Sequence, residues 1–129
     1  VSKLQGFSFK ANESITAYCT VAANASSTVN DIRVEIADTS TSLPIGIAQD
    51  VASTDGAVIV AKPGEIGRGL LATTTAFGQW LTCQTGTGQL MPVDQTATIT
   101  ARIIAQAYAP GTLGSIIPVM VINPGVTTI

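Results

Sequence analysis

The chain is predicted to be all-β: a small barrel or sandwich of about eight to nine short strands, with at most one short helix. Three observations lead there. Helical periodicity is nearly absent. Short β-forming runs recur with Gly, Pro, Asn or Asp between them, at the eight-to-twelve-residue spacing of small β folds. The polar share is carried by 18 Thr and 9 Ser, while charged residues make up only 11% of 129 residues.

The elements follow in order. Ile15 to Val21 is rich in β-formers and reads as a strand. Ile32-Arg33-Val34-Glu35-Ile36 alternates, with three apolar residues on one face and both charges on the other. Ile45 to Ala48 is a short apolar run after Pro44. Asp55-Gly56 is a hairpin turn signal ahead of Val58-Ile59-Val60, and Pro63-Gly64 is another turn. The one short helix has room between Gly64 and Phe77. Leu70 to Ala72, Trp80 to Cys83 and Leu90 to Val93 read as strands, with Gly86-Thr87-Gly88 turning between the last two. Thr96 to Ile103 alternates most clearly, setting Ala97, Ile99, Ala101 and Ile103 on one face. Ser115 to Ile122 contains Pro118, which places it at a sheet edge or a bulge.

A faint internal repeat runs beneath this order. Ile47-Ala48-Gln49 is echoed by Ile104-Ala105-Gln106, and each is followed by a glycine turn and an apolar strand. Each strand then ends in Pro-Gly, at Pro63-Gly64 and at Pro124-Gly125. The echo points to two similar β units sharing one core. Residues 12–129 are expected to form a single β domain, and residues 1–11 an N-terminal arm or edge strand carrying Leu4, Phe7, Phe9 and Lys10.

Composition narrows the function. A net charge of −2 excludes a strongly basic nucleic-acid binder, because nothing neutralises a run of phosphates. Six aromatics and six cations are scattered, which does not make a stacking groove for single strands. No histidine is present, which removes the commonest general base and metal ligand. The acidic residues fall mostly at predicted turns. Asp50 and Asp55 share a loop without the ligand run of a calcium loop. Gly64, Gly67 and Gly69 match no phosphate fingerprint and read as tight turns. Cys19 and Cys83 lie too far apart for a local metal pair and read as buried thiols. We therefore expect no catalytic residues, no cofactor and no metal, and so no enzyme.

No basic flank leads Val1 to Gly6 into an apolar run, so no targeting segment is expected. Ile103 to Ile129 carries no charge, yet Pro110, Pro118 and Pro124 argue against a membrane helix, and no membrane is expected as partner. So few charges at a mean hydropathy of +0.42 imply that much of the surface lies against another protein. Trp80 and Tyr108 are the stacking candidates for a ligand- or carbohydrate-binding module, although a lone Trp in a strand is expected in a core.

Three stretches carry a family resemblance. Pro44 to Asp50, then Ala52, Asp55-Gly56 and Val58 to Val60, resembles one segment of the small capsid decoration (cement) proteins of tailed bacteriophages. Gly78 to Cys83, continuing through Gly86-Thr87-Gly88 to Leu90 to Val93, is similar to a hairpin of that family. Arg102 to Ala107 and Ile116 to Val121 resemble its closing strand pair, and Asn12 to Val21 its opening strand. Trp80, Cys83 and Ile103 or Ile104 depart from the pattern.

The resemblance implies a structural virion protein made in the bacterial cytoplasm. It would sit on the outer capsid surface as a homotrimer and stabilise the expanded head by bridging copies of the major capsid protein. Leu4, Phe7, Phe9 and Lys10 are then the candidate capsid-interface residues. Other virion components, such as a head fibre base or a tail-tube subunit, are the alternative.

Overall fold

A computed structural model describes residues 9–29, 31–37, 43–93 and 100–128. These residues hold eleven strands and no helix. The strands are β1 (Phe9–Ala11), β2 (Thr20–Ala23), β3 (Ile32–Ile36), β4 (Leu43–Ala48), β5 (Ala57–Val58), β6 (Val60–Ala61), β7 (Ile66–Leu70), β8 (Trp80–Cys83), β9 (Leu90–Pro92), β10 (Thr100–Ala107) and β11 (Ile116–Thr128). The all-β class is as the sequence predicts. The space reserved for a helix holds β7 and a turn, and β7 runs through Gly67 and Gly69, which are therefore strand residues and not turns.

Two sheets form, one from each half of the chain. The first has the order β5-β1-β3-β2-β4-β6 and the second β7-β11-β10-β8-β9. Each closes on itself. Only Ile59 separates β5 from β6, so this nearly continuous strand pairs with β1 at one end and β4 at the other. The second ring closes where Leu71 bridges Leu90 in parallel and the Ala72 N–H donates to the Leu90 carbonyl at 2.7 Å. The chain is thus two small barrels in tandem, and closure removes sheet edges.

The two barrels are copies of one plan. Phe9 pairs with Val58 as Gly69 pairs with Ile117. Thr20 pairs with Ile47 as Trp80 pairs with Gln106, and Ala48 pairs with Val60 as Ala107 pairs with Val119. Loop bonds repeat as well. Ile15 and Ala52 exchange two backbone bonds, and so do Thr75 and Gly111. Ala11 N–H donates to Gly56 O as Leu71 N–H donates to Ser115 O. The expected repeat is therefore real, but its register differs from the echoed tripeptides. Ala48 matches Ala107, not Ala105, so Ile47 matches Gln106. Pro124-Gly125 is no turn, since Gly125 pairs with Ile103 inside β11.

Matched positions also fill the two interiors. Ala11, Val21, Val34, Ala48, Val58 and Val60 line the first core. Leu71, Leu81, Leu90, Ala107, Ile117 and Val119 line the second. The second cluster also takes in Ile47 and Ala61 from the outside of the first barrel, which joins the barrels. β7 makes the polar part of that joint. The Gln49 amide bonds the Arg68 backbone in both directions at 3.0 Å, and the Leu70 N–H donates to Tyr18 O at 2.9 Å.

The matched turns show where the backbone is demanding. Tyr18 (φ 66°) stands where the second copy has Gly78 (φ 85°), and Asp55 (φ 68°) where it has Gly114 (φ 85°). A left-handed tyrosine is costly, and it explains why Ile15 to Val21 is not one strand. The chain turns at Tyr18, leaving Ile15 in an isolated bridge and β2 starting at Thr20.

Pro118 is a second correction. β11 has partners on both sides, so Pro118 lies in an interior strand. Its pairing with β10 ends one residue away, at Val119 with Ala107, so the missing N–H falls at the end of the ladder. In the first barrel the matched residue is Ile59, whose N–H donates to Asp50 Oδ1 at 3.1 Å. Asp50 in turn matches Ala109. One copy satisfies this N–H with a carboxylate, and the other deletes it. Asp50→Ala is therefore expected to cost about 1 kcal/mol. Adding Ile59→Pro should recover most of that loss, since Ile59 is exposed. Urea midpoints read both changes. A double variant less stable than Asp50→Ala would show that the two solutions are not interchangeable.

Candidate functional site

Four residues were expected to form an interface. Leu4 and Phe7 lie outside the described residues. Phe9 and Lys10 belong to β1, which is no edge: β3 pairs with it in parallel and β5 antiparallel. The reason is closure of the first barrel, which takes β1 into the ring. Residues 9–11 of the expected arm are β1 itself. Phe9 is half-buried against the first core. Lys10 points outward, 4.0 Å from Asp31.

Lys10 belongs to a small charged group. Arg33 bonds Asp31 at 3.0 Å and Asp55 at 2.7 Å. The hydrogen bond that Arg33 donates to Asp55, then the one it donates to Asp31, raises the pKa of its guanidinium from the ordinary value. The group ties the Asp55 turn to β3. Its two cations and two carboxylates balance in charge, so it is a brace more than a binding site.

Both cysteines lie inside the fold. Cys19 and Cys83 are both buried and unbridged, and burial pushes the Cys19 thiol up from its usual pKa. A protonated, enclosed thiol is a poor nucleophile. Among the described residues, no group of three or more Cys, Asp or Glu side chains is placed to hold a metal ion. No helix there is long and apolar enough to cross a membrane.

The outside of the second barrel is different. Registers set Trp80, Gln106, Met120 and Ile66 side by side across β8, β10, β11 and β7. Trp80 is 40% exposed and Ile66 62%. Tyr108, just past the end of β10, is 40% exposed, and Phe77 and Leu113 stand out on neighbouring turns. Large apolar side chains thus cover one outer face, where a soluble barrel would place polar ones. The expectation of a core Trp80 is overturned: the Leu81 side chain takes the inward position, so its neighbour must face out. Trp80 and Tyr108 were legible as exposed-chemistry candidates, but Ile66 and Met120 were not. They become visible only when register lines them up.

No protein-family model matches the chain, and no curated protein matches it. A solved structure does match: the head fiber gp8.5 N base in bacteriophage phi29, with a TM-score of 0.68 and 17% sequence identity. The fold resembles that of a phage head-fibre base. The match covers 91% of this chain and 92% of the head-fibre base, so it takes in both barrels.

Proposed function

We propose that the chain is a structural component of a phage virion, serving as a base on the outer surface of the head. The observation that carries this is the likeness to the head-fibre base along nearly the whole of both chains. The surface agrees with it. Charge is sparse, one barrel face is apolar, and the two barrels brace each other into a stiff unit. A base of this kind needs no reaction, only shape and repeated contact. We take its partner to be the major capsid protein and its assembly to be a homotrimer, in which three weak sites act together.

The decoration reading stays as a second one, favoured by the segment from Pro44 to Asp50 and the hairpin from Gly78 to Val93. The two readings differ in what binding does to the head. A cement stiffens the shell, whereas a fibre base mainly occupies it. The test is co-sedimentation of the purified chain with heads of its source phage, before and after expansion. Saturable binding is expected. Heads that melt higher once loaded would favour the cement, and unchanged melting the base. A folded chain that binds neither form of head would overturn both.

A further inference from the structure

The joint between the barrels is one-sided. The first barrel offers the outer face of β2, β4 and β6, where Thr20, Ile47 and Ala61 are almost fully buried. The second barrel offers a different surface, made by β7 and Gly88. Arg68 bonds Gln49, Leu70 bonds Tyr18, and the Gly88 carbonyl accepts the Thr20 N–H at 2.7 Å. Such a contact is heterologous: each face is used once and its copy is left over.

The leftover copy of the first barrel's face is known by residue. Thr20, Ile47 and Ala61 match Trp80, Gln106 and Met120, and Gln49 matches Tyr108. In the first barrel these positions lie under the second barrel. In the second barrel they are half-open to solvent, and all but Gln106 hold larger side chains. We infer that this face of the second barrel docks the first barrel of another copy of the chain.

Three observations favour a second copy over any other occupant. The face is equivalent to one that already binds this same barrel plan. The surface a partner copy would present, matched to β7, includes Lys10 of the first barrel, whose side chain points outward and is half-exposed. Finally, the row from Trp80 to Ile66 carries no charge that docking would have to strip of water. The face is also stable before docking. In the first barrel the Tyr18 carbonyl is bonded by the other barrel, whereas in the second the matched Gly78 carbonyl accepts from the Gln106 side chain at 3.1 Å.

Repeated head to tail, this docking carries each chain into the next. Three chains would set six barrels in one closed circuit. That count rests on the trimer proposed above, while the docking itself does not.

The chain supplies its own reporter, because Trp80 is its one tryptophan. Light scattering and tryptophan emission are measured on the full chain across concentration. Assembly is expected, with emission moving to shorter wavelength in step with mass. Trp80→Glu should lower the mass about threefold, to the monomer, and keep the wild-type circular dichroism. A photo-reactive benzoylphenylalanine at position 80, in mixed light and heavy chains, should cross-link to residues 9–61 of another copy.

A wild-type chain that stays monomeric at every concentration would overturn the inference. So would an assembly with unchanged emission, or cross-links that run into the partner's second barrel. If Trp80→Glu leaves the mass unchanged but abolishes sedimentation with heads, the face belongs to the capsid and not to a second copy. Loss of head binding by the wild type, with assembly intact, would sink the proposed function and leave this inference standing.

Discussion

Replacing Ile47 by aspartate is expected to leave no cooperatively folded protein at 25 °C. Ile47 has no exposure, and its cluster contains only apolar side chains from the second barrel and Ala61. Removing the isoleucine costs about 2–5 kcal/mol by lost burial and cavity. A carboxylate left there without a cation costs several more. The sum reaches the whole stability of an ordinary domain, roughly 5–15 kcal/mol. Ile47→Ala is the graded partner and should keep the fold, with a urea midpoint lowered by the equivalent of about 3 kcal/mol. Circular dichroism and amide dispersion distinguish the two. An aspartate variant with a wild-type midpoint would mean that the barrels do not depend on their joint. Because Ile47 belongs to the second barrel's cluster, the wild type should also unfold in one transition.

The second large effect lies at the seam of the second barrel. Leu90 is fully buried and closes the ring through Leu71. Leu90→Ala should cost about 3–4 kcal/mol. Gly69 lies directly opposite: a Cβ there would overlap Leu90 Cδ1, with Val119 Cγ1 at 3.6 Å. Gly69→Ala alone should therefore cost about 1–3 kcal/mol by overpacking. The pair should cost less than the sum by at least about 1 kcal/mol, since the new methyl enters the space that leucine vacates. Strict additivity in a double-mutant cycle would show that the two side chains do not meet.

Local patterns were enough wherever a strand is made by its own residues. β3 spans Ile32–Ile36 and β8 spans Trp80–Cys83, as alternation and β-forming residues predict. Signals failed where a distant partner decides. Nothing about Tyr18 announces a turn. It adopts one because its N–H and carbonyl are both claimed, by Ala48 and by Leu70. Pro124-Gly125 looks like a stop, yet the strand continues, because a register shift between Ile103 and Ala105 lets β10 follow β11 past it. The alternation from Thr96 begins outside the described residues, and β10 takes it up at Thr100.

The candidate interface followed the same division. Lys10 was legible as an outward charge. Phe9 was not legible as part of a core, because β3 and β5, which enclose its strand, come later in the chain. The apolar row on the second barrel needed four strands to be aligned before it existed. Matched positions share almost no identity: Ile45 with Ile104, Ala48 with Ala107 and Val60 with Val119 are the exceptions we find among the aligned strands. A repeat kept in hydrogen bonds but lost in side chains leaves little trace in sequence.

That loss has a use during folding. A chain that carries one topology twice risks mispairing, with β7 closing the first ring or β1 the second, within a molecule or between two. Such strand exchange is a characteristic failure of tandem repeats. Here the wrong partner would bring Leu71 into the space made for Ala11, and Ala11 into the space that Leu71 fills. One exchange overfills a core and the other leaves it hollow. The drift in size between the matched residues is therefore an address system: each strand fits well in only one barrel, although the backbone would accept it in both.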